Sequence, residues 1–191
     1  MTRFFNAPQA ALAYVENQDL HPHLLIHPDL QDEFPKHATG TPDAVLIGDA
    51  GQAFTYAGLN RAFRLVVYGA PLLAMGYNRY FKEAQGFSLY VGPFVAALEF
   101  AAEIRAKVRG KPAPEFFEAA VAGLGCEPDQ VVMVGDDAAA DVGGAIAAGL
   151  RGILVRTGKY MSGDEEEIDE PGAIVVDDVT AAVDWILEHR A

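Results

Sequence analysis

The stretch that decides the fold spans residues 130–148 and reads QVVMVGDDAAADVGGAIAA. Its apolar run, residues 131–134, has the length and β-branched content of a strand buried on both faces, as in a parallel sheet. The run stops at Gly135, Asp136 and Asp137, and small residues that favour a helix follow. The acids therefore lie where a strand's carboxyl end meets a helix, which is where open α/β sheets bind ligands.

Three carboxylates, those of Asp136, Asp137 and Asp141, lie within six residues of one another. They repel each other unless a positive charge lies between them, and a hard divalent cation such as Mg²⁺ would relieve that repulsion. The alternative is a strand-to-helix turn in which Asp137 or a neighbour caps the helix and Asp141 benefits from the helix dipole. The spacing alone leaves both interpretations open.

A lysine precedes these acids by 25 residues, in the segment GKPAPEFF at residues 110–117. Prolines stiffen the loop that carries Lys111, and Pro114 suits the first turn of a helix, where its missing N–H costs nothing. Most lysines are solvated surface charges. A lysine held on a rigid loop before an acidic turn is instead a candidate for the same site.

Together these segments resemble the third and fourth motifs of the haloacid dehalogenase (HAD) superfamily of phosphatases: GKPAPEFFEAAVAGLG at 110–125 and VVMVGDDAAADVGGAIAAGLRGILVRTGKY at 131–160. Further stretches are similar to the branch of that superfamily with a large α/β cap, namely HPHLLIH at 21–27, DAVLIGDAGQAFTYAGLNRAF at 43–63 and VGPFVAALEFA at 91–101. The resemblance implies an α/β fold with a HAD-like Rossmannoid parallel-sheet core, incomplete because it lacks its first strands, and an inserted α/β cap domain.

The resemblance also implies domain limits. Residues 1–6 are expected to be the remnant of a core strand, residues 7–88 the cap, and residues 89–191 the carboxyl-terminal part of the core. In the cap, Arg79 and Lys82 are predicted to lie on a loop that could meet an anionic substrate, although a solvated surface loop has the same composition.

The family's chemistry begins with an Asp-x-Asp motif, whose first Asp is the nucleophile, and no Asp-x-Asp occurs among these 191 residues. Mapped by resemblance, Lys111 matches the lysine that clamps the phosphate and the nucleophile, and Asp136 matches the acid that binds Mg²⁺. Asp137 and Asp141 match supporting acids of the metal site. We therefore expect a truncated, inactive form of a Mg²⁺-dependent phosphatase of phosphomonoesters, phosphoamino acids or pyrophosphate. The alternative is a non-catalytic protein that binds Mg²⁺ or phosphate, or an oligomerising interaction protein.

Composition limits the partners. The formal charge of -13 argues against non-specific binding to nucleic acid or to anionic membrane. The single cysteine, Cys126, excludes an intramolecular disulfide, and the absence of a long apolar run predicts a cytoplasmic, soluble chain. A small phosphorylated molecule is the expected ligand. An unpaired strand edge beside residues 131–134 is an association hazard, so a homo-oligomer is left open.

Two further clusters have ordinary explanations. Alternation puts His21, His23 and His27 on one face of a strand, but no cysteine or fourth ligand accompanies them, which argues against a metal site. Six acids among residues 162–170 predict a solvated loop, because like charges at that density repel. Periodicity and turn residues predict the remaining elements. These are helices at 7–18, 56–68, 94–106, 115–124 and 179–189, and strands at 24–26, 44–48, 71–75, 152–155 and 173–176.

Overall fold

A computed structural model describes residues 5–35, 41–168 and 173–189. These residues form two compact units. The amino-terminal unit comprises 5–35, 41–81 and 88–110, and the carboxyl-terminal unit comprises 82–87, 111–168 and 173–189. These units follow from packing within the chain. The limits expected for the cap, 7–88, and for the core, 89–191, stay predictions. Of the expected strand remnant at 1–6, residues 1–4 lie outside the described residues.

In chain order the elements are α1 (Ala7–Asn17), β1 (Pro22–Leu25), β2 (Ala44–Ile47), α2 (Tyr56–Val67), β3 (Leu72–Ala74), β4 (Tyr80–Glu83), β5 (Gly86–Leu89), α3 (Val91–Ala102), β6 (Lys107–Val108), α4 (Pro114–Leu124), β7 (Val132–Gly135), a π-helical turn (Ala138–Gly143), α5 (Gly144–Ala147), β8 (Arg151–Val155), β9 (Ala173–Val176) and α6 (Val179–Glu188). Short 3₁₀ turns cover Pro28–Glu33, Gly51–Ala53, Pro128–Gln130 and Asp164–Glu167. No helix among the described residues is long and apolar enough to cross a membrane.

The amino-terminal unit is built on a four-stranded parallel sheet in the order β1-β2-β3-β6. Strand β2 is fully buried, and its side chains alternate between two cores. Val45 and Ile47 pack with apolar side chains of α2 and α3, while Ala44 and Leu46 pack with those of α1. Because both faces of the sheet are covered by helices, its strands read as continuous apolar runs.

Two predictions between residues 79 and 106 were wrong in their limits. The loop predicted to carry Arg79 and Lys82 contains a strand, since β4 begins at Tyr80 and pairs with β5. The two strands are joined by only two residues, and Gly86 adopts a φ of +133° that favours glycine at this turn. The helix predicted at 94–106 runs from Val91 to Ala102 and ends at Glu103, whose left-handed φ of +54° breaks the helical pattern.

The carboxyl-terminal unit has a three-stranded parallel sheet in the order β7-β8-β9. Its central strand, β8, directs Ile153 and Val155 towards Ala182 of α6 and Leu154 towards Val142 in the turn after β7. Helices α4 and α5 share a further apolar cluster, whose buried members are Phe117, Val121, Ala145 and Leu150.

Strand β7 differs from its prediction in two respects. It runs from Val132 to Gly135, one residue later than the apolar run, and all four of its residues are only half-buried. The prediction of a strand buried on both faces is therefore wrong. The physical reason is its position, because within the described residues β7 pairs with β8 alone and forms an edge of the sheet.

The acidic segment is more ordered than a solvated loop. Asp164–Glu167 forms a 3₁₀ turn in which the half-buried Glu165 accepts a 2.7 Å hydrogen bond from the Tyr160 hydroxyl. That hydrogen bond is the main cause of a lowered pKa of Glu165. Arg156 lies 3.8 Å from the same carboxylate. The last two residues of the predicted loop, 169 and 170, lie outside the described residues.

Candidate active site

The three acids lie at the carboxyl end of β7, as the position of the strand predicts. Asp136 follows the strand directly, and Asp137 caps the next turn, because its Oδ1 accepts a 2.9 Å hydrogen bond from the Ala140 N–H. That turn is π-helical, a geometry often found at functional sites. It turns Asp141 back towards the strand, so that Asp141 Oδ2 accepts a 3.4 Å hydrogen bond from the Asp137 N–H.

Lys111 lies beside the buried member of this group. Its Nζ is 2.6 Å from Asp141 Oδ1, and the side chain of Asp141 is only 7% exposed, compared with 35% for Lys111. The loop before α4 and the end of β7 thus contribute one half of the pair each, although the two residues are 30 positions apart. Gly144 allows this loop to come close, since a Cβ there would lie 3.0 Å from Pro112.

A second lysine, Lys159, contacts the other two acids. Its main-chain N–H donates a 2.8 Å hydrogen bond to Asp136 Oδ2, and its ammonium pairs with Asp137 Oδ2. Both partners of the ion pair are largely buried, with side-chain exposures of 15% for Lys159 and 13% for Asp137. Lys159 follows β8, the strand beside β7, so the carboxyl ends of two neighbouring parallel strands build this contact.

Two glycines make the close approach possible. A Cβ at Gly135 would lie 2.3 Å from Asp141 Oδ2, and a Cβ at Gly158 would lie 1.9 Å from Asp136 Oδ2. Any side chain at either position would occupy the space of a carboxylate. At the end of β7 and in the loop after β8, glycine therefore leaves the space that the carboxylates of Asp141 and Asp136 occupy.

The carboxylate oxygens of this site suit a hard cation, but most of them are already paired with a lysine or a main-chain N–H. Three carboxylates face two ammonium groups, which leaves one formal negative charge. Within the described residues no three His, Cys, Asp or Glu side chains are placed to hold a metal ion jointly. Asp136 Oδ1 accepts no hydrogen bond from a described residue, so Asp136 is the acid that could give an oxygen to Mg²⁺. His21, His23 and His27 belong to no such group among the described residues, and the interpretation of them as ordinary strand residues stays a prediction.

Arg79 and Lys82, the residues predicted to lie in the cap, are both exposed. Arg79 is exposed, with its guanidinium carbon 5.6 Å from the centre of the Tyr80 ring, and Lys82 is exposed on β4. Their role towards a substrate stays a prediction.

The sequence analysis missed Lys159, to which it gave no role. A usable signal existed, because Thr157-Gly158-Lys159 follows a strand that neighbours the acid-bearing one, and the carboxyl ends of parallel strands share one edge.

A parallel α/β unit with lysines and acids at the carboxyl edge of its sheet belongs to the class of open α/β folds that bind ligands at that edge. Comparisons with known proteins identify the family. The model of the family described as HAD-hydrolase-like matches residues 108–182. The chain is 46% identical over 185 residues to haloacid dehalogenase-like hydrolase domain-containing protein 2 of Bos taurus, covering 97% of this chain and 71% of that protein. It is 43% identical over 192 residues to phospholysine phosphohistidine inorganic pyrophosphate phosphatase of Danio rerio, covering 100% and 71%. The chain belongs to the HAD-like hydrolase family.

A solved structure agrees with this assignment. The glycerol phosphate phosphatase of Mycobacterium tuberculosis, determined in complex with magnesium, superposes with a TM-score of 0.76 at 26% identity. The match covers 92% of this chain and 56% of that one. The fold class expected from the resemblance, a parallel α/β fold of the HAD phosphatases with a cap, is confirmed.

Proposed function

We propose that the carboxyl-terminal unit is the metal- and phosphate-binding part of a Mg²⁺-dependent HAD-type phosphatase. The observation that carries the proposal is the convergence of Lys111 with Asp141, and of Lys159 with Asp136 and Asp137, at the carboxyl end of β7. Phosphoryl transfer needs positive charge around the transferred oxygens more than it needs covalent chemistry from the protein. The family supports Mg²⁺ as the cation, and so does the magnesium in the solved relative.

Each residue has a role in this proposal. Lys111, a third exposed, reaches a phosphate oxygen with its ammonium, and Asp141 holds that lysine in place. Asp136 offers an oxygen to the metal, while Asp137 fixes the turn that follows. Bound Mg²⁺ would supply neutralising charge on the phosphoryl oxygens. The Asp136 carboxylate suits this ion because Mg²⁺ prefers hard oxygen ligands.

Turnover needs a nucleophile that these residues do not contain. The family's Asp-x-Asp is absent from the 191 residues. In a protease, loss of a covalent nucleophile lowers the rate on the order of a millionfold. We infer that the 191-residue chain binds phosphate with Mg²⁺ but does not hydrolyse phosphate esters by itself.

The substrate class follows from the relatives. One is named for phospholysine, phosphohistidine and inorganic pyrophosphate, which share a small size and a terminal phosphoryl group. We infer a small phosphorylated molecule as the ligand, with residues 7–88 as the cap. Arg79 and Lys82 are the cap residues assigned to its anionic part, because both side chains are cationic and exposed.

The test combines binding and turnover. Inorganic phosphate is titrated calorimetrically into the chain with Mg²⁺, and p-nitrophenyl phosphate hydrolysis is followed for the chain alone and for the chain fused to a segment that carries the Asp-x-Asp strand. We expect saturable phosphate binding, hydrolysis only by the fusion, and a loss of phosphate affinity of about tenfold or more in Lys111→Met.

The matched control is Lys107→Met, which removes an exposed lysine from β6 and should leave phosphate binding unchanged. Fast hydrolysis by the chain alone contradicts the inferred inactivity. Phosphate binding that survives Lys111→Met contradicts the assignment of the clamp. Binding without hydrolysis even in the fusion would favour the non-catalytic alternative.

A further inference from the structure

Lys159 is the one group of the candidate site for which the family motifs assigned no task. Its ammonium does not face an open surface, since the side chain is 15% exposed and pairs with a carboxylate that is 13% exposed. The remaining oxygen of that carboxylate, Asp137 Oδ1, accepts the hydrogen bond from the Ala140 N–H. Both oxygens of Asp137 therefore already have donors.

Asp141 is occupied in a similar way. Its Oδ1 pairs with Lys111 and its Oδ2 accepts the hydrogen bond from the Asp137 N–H. Asp136 is different, since its Oδ2 receives only the main-chain N–H of Lys159 and Oδ1 accepts nothing from the described residues. Three acids lie together, but only one has an oxygen that no described residue occupies.

We propose that Lys159 is a positioning residue that withdraws Asp137 from metal coordination, so that the site takes its divalent cation through Asp136. This inference rests on the proposed metal site. Its consequence is a weak site for the free cation, because one carboxylate with water ligands holds Mg²⁺ loosely until a substrate phosphate adds its oxygens. Without Lys159, Asp136 and Asp137 would be two adjacent carboxylates able to chelate a cation with no phosphate present.

The geometry of the loop after β8 also supports different roles for Asp136 and Asp137. Gly158 comes so close to Asp136 that a Cβ would lie 1.9 Å from Oδ2, and the next residue donates its N–H to that oxygen. One loop thus fixes Asp136 through its main chain and occupies Asp137 through its side chain. The two adjacent acids are given different tasks by one residue.

The test uses Mn²⁺ as a spectroscopic probe in phosphate-free buffer, with free Mn²⁺ measured by electron paramagnetic resonance. Lys159→Met should bind Mn²⁺ about tenfold more tightly than the wild type, because a unit positive charge is removed within several ångströms of the cation. Lys159→Arg keeps the charge and should restore the wild-type affinity. Lys107→Met, an exposed lysine outside the site, should change nothing.

A charge-matched pair keeps the proposal falsifiable if Lys159→Met does not fold. The double variant Lys159→Met/Asp137→Asn removes both partners and leaves the formal charge of the site unchanged, and exchanging both partners of a buried ion pair is usually tolerated. It should bind Mn²⁺ as the wild type does. A weaker affinity would make Asp137 a direct ligand and would overturn the proposal, as would an unchanged or weaker affinity in folded Lys159→Met.

The outcomes separate this inference from the proposed function. Wild-type protein that binds no Mn²⁺ even with inorganic phosphate present contradicts the proposed metal site, whereas a saturable Mn²⁺ site that appears in phosphate-free Lys159→Met still supports the withdrawal of Asp137. Absence of Mn²⁺ binding in both proteins, with and without phosphate, overturns both proposals.

Discussion

Glu99 on α3 and Asp141 after β7 are buried to almost the same degree, at 7% and 5% exposure, yet their carboxylates are held in different ways. Glu99 accepts a 2.6 Å hydrogen bond from the Tyr77 hydroxyl and a 2.8 Å bond from the Ala106 N–H. Its only cationic neighbour among the described residues, Arg105, is 90% exposed and 3.7 Å away. Asp141 instead meets the ammonium of Lys111 at 2.6 Å.

The difference separates a structural acid from an acid of a binding site. The donors to Glu99 come from the same unit and are neutral, and the hydrogen bond to Glu99 is the main cause of the raised pKa of Tyr77. They tie α3 to the chain that leads into β6. The partner of Asp141 is a charged side chain that is a third exposed and can share its ammonium with a ligand. Burial of a carboxylate alone does not distinguish the two, but the nature of its donors does.

The largest expected effect is on folding, from Glu99→Ala. Truncation leaves the Tyr77 hydroxyl and the Ala106 N–H without their acceptor, and hydrogen bonds to a charged group are worth about 1.5–3 kcal/mol each. We expect a loss of about 3 kcal/mol in the free energy of unfolding, measured by urea denaturation with far-UV circular dichroism, while Mg²⁺-dependent phosphate binding is retained.

The matched change is Asp141→Ala. It should cost less stability, about 1–2 kcal/mol, because Lys111 can extend into water, the repulsion from the neighbouring acids is relieved, and the Asp137 N–H loses only a long 3.4 Å hydrogen bond. It should, however, lower phosphate affinity to about the level of Lys111→Met, because Lys111 loses the carboxylate that holds its ammonium in place. Equal losses of stability in the two variants, or an unchanged phosphate affinity in Asp141→Ala, would remove the distinction between the two acids.

Much of the fold follows from local sequence. The strand predicted at 173–176 has the observed limits, and the helices beginning at Ala7, Tyr56 and Val179 start where predicted. These elements have clear signals: an apolar run of β-branched residues, or a cap such as Asn6, Thr55 or Asp178 before an apolar period. The burial of β7 was predicted wrongly because a run of apolar residues does not tell how many neighbours a strand has.

The candidate site was predictable in part. The acids at the end of β7 could be found because glycine and aspartate follow an apolar run, and Lys111 because prolines surround it. Glu99 could not be found in this way, and Lys159 could be found only from the expected adjacency of its strand to β7. Each depends on a partner at least seven positions away in the chain, and the identity of such a partner is fixed by packing and not by a local pattern.

A smaller effect is expected from Gly158→Ala, which tests whether backbone proximity shapes the acid site. Gly125 provides the control, because its φ of +71° resembles the +60° of Gly158 while a Cβ there would meet nothing within 4 Å. Gly125→Ala should cost about 1 kcal/mol for the left-handed conformation alone. Gly158→Ala should cost about 1–2 kcal/mol more, since the new methyl group displaces the Asp136 carboxylate.

Urea denaturation measures the two stabilities, and Mn²⁺ binding separates strain from site geometry. Gly158→Ala should weaken Mn²⁺ binding, whereas Gly125→Ala should not. Equal costs in the two variants would mean that the loop after β8 moves away freely and that Asp136 is not positioned by it.

The smallest expected effect concerns His23 on β1, a polar group with neither the fixed donors of Glu99 nor the counter-charge of Asp141 among the described residues. Burial, and then the positive charge of Arg61, lower the pKa of His23 below its usual value. The unfolded chain therefore binds this proton more tightly than the folded chain does. Stability should be complete above pH about 6.5 and should fall as the pH drops below that value.

Melting temperatures measured by circular dichroism from pH about 8 to about 5 should decline less steeply in His23→Gln than in the wild type. Arg61→Met should give an intermediate slope, because it removes the positive charge that lowers the pKa of His23 and leaves the burial of that side chain unchanged. Identical slopes in all three proteins would show that His23 protonates as readily in the folded sheet as in the unfolded chain.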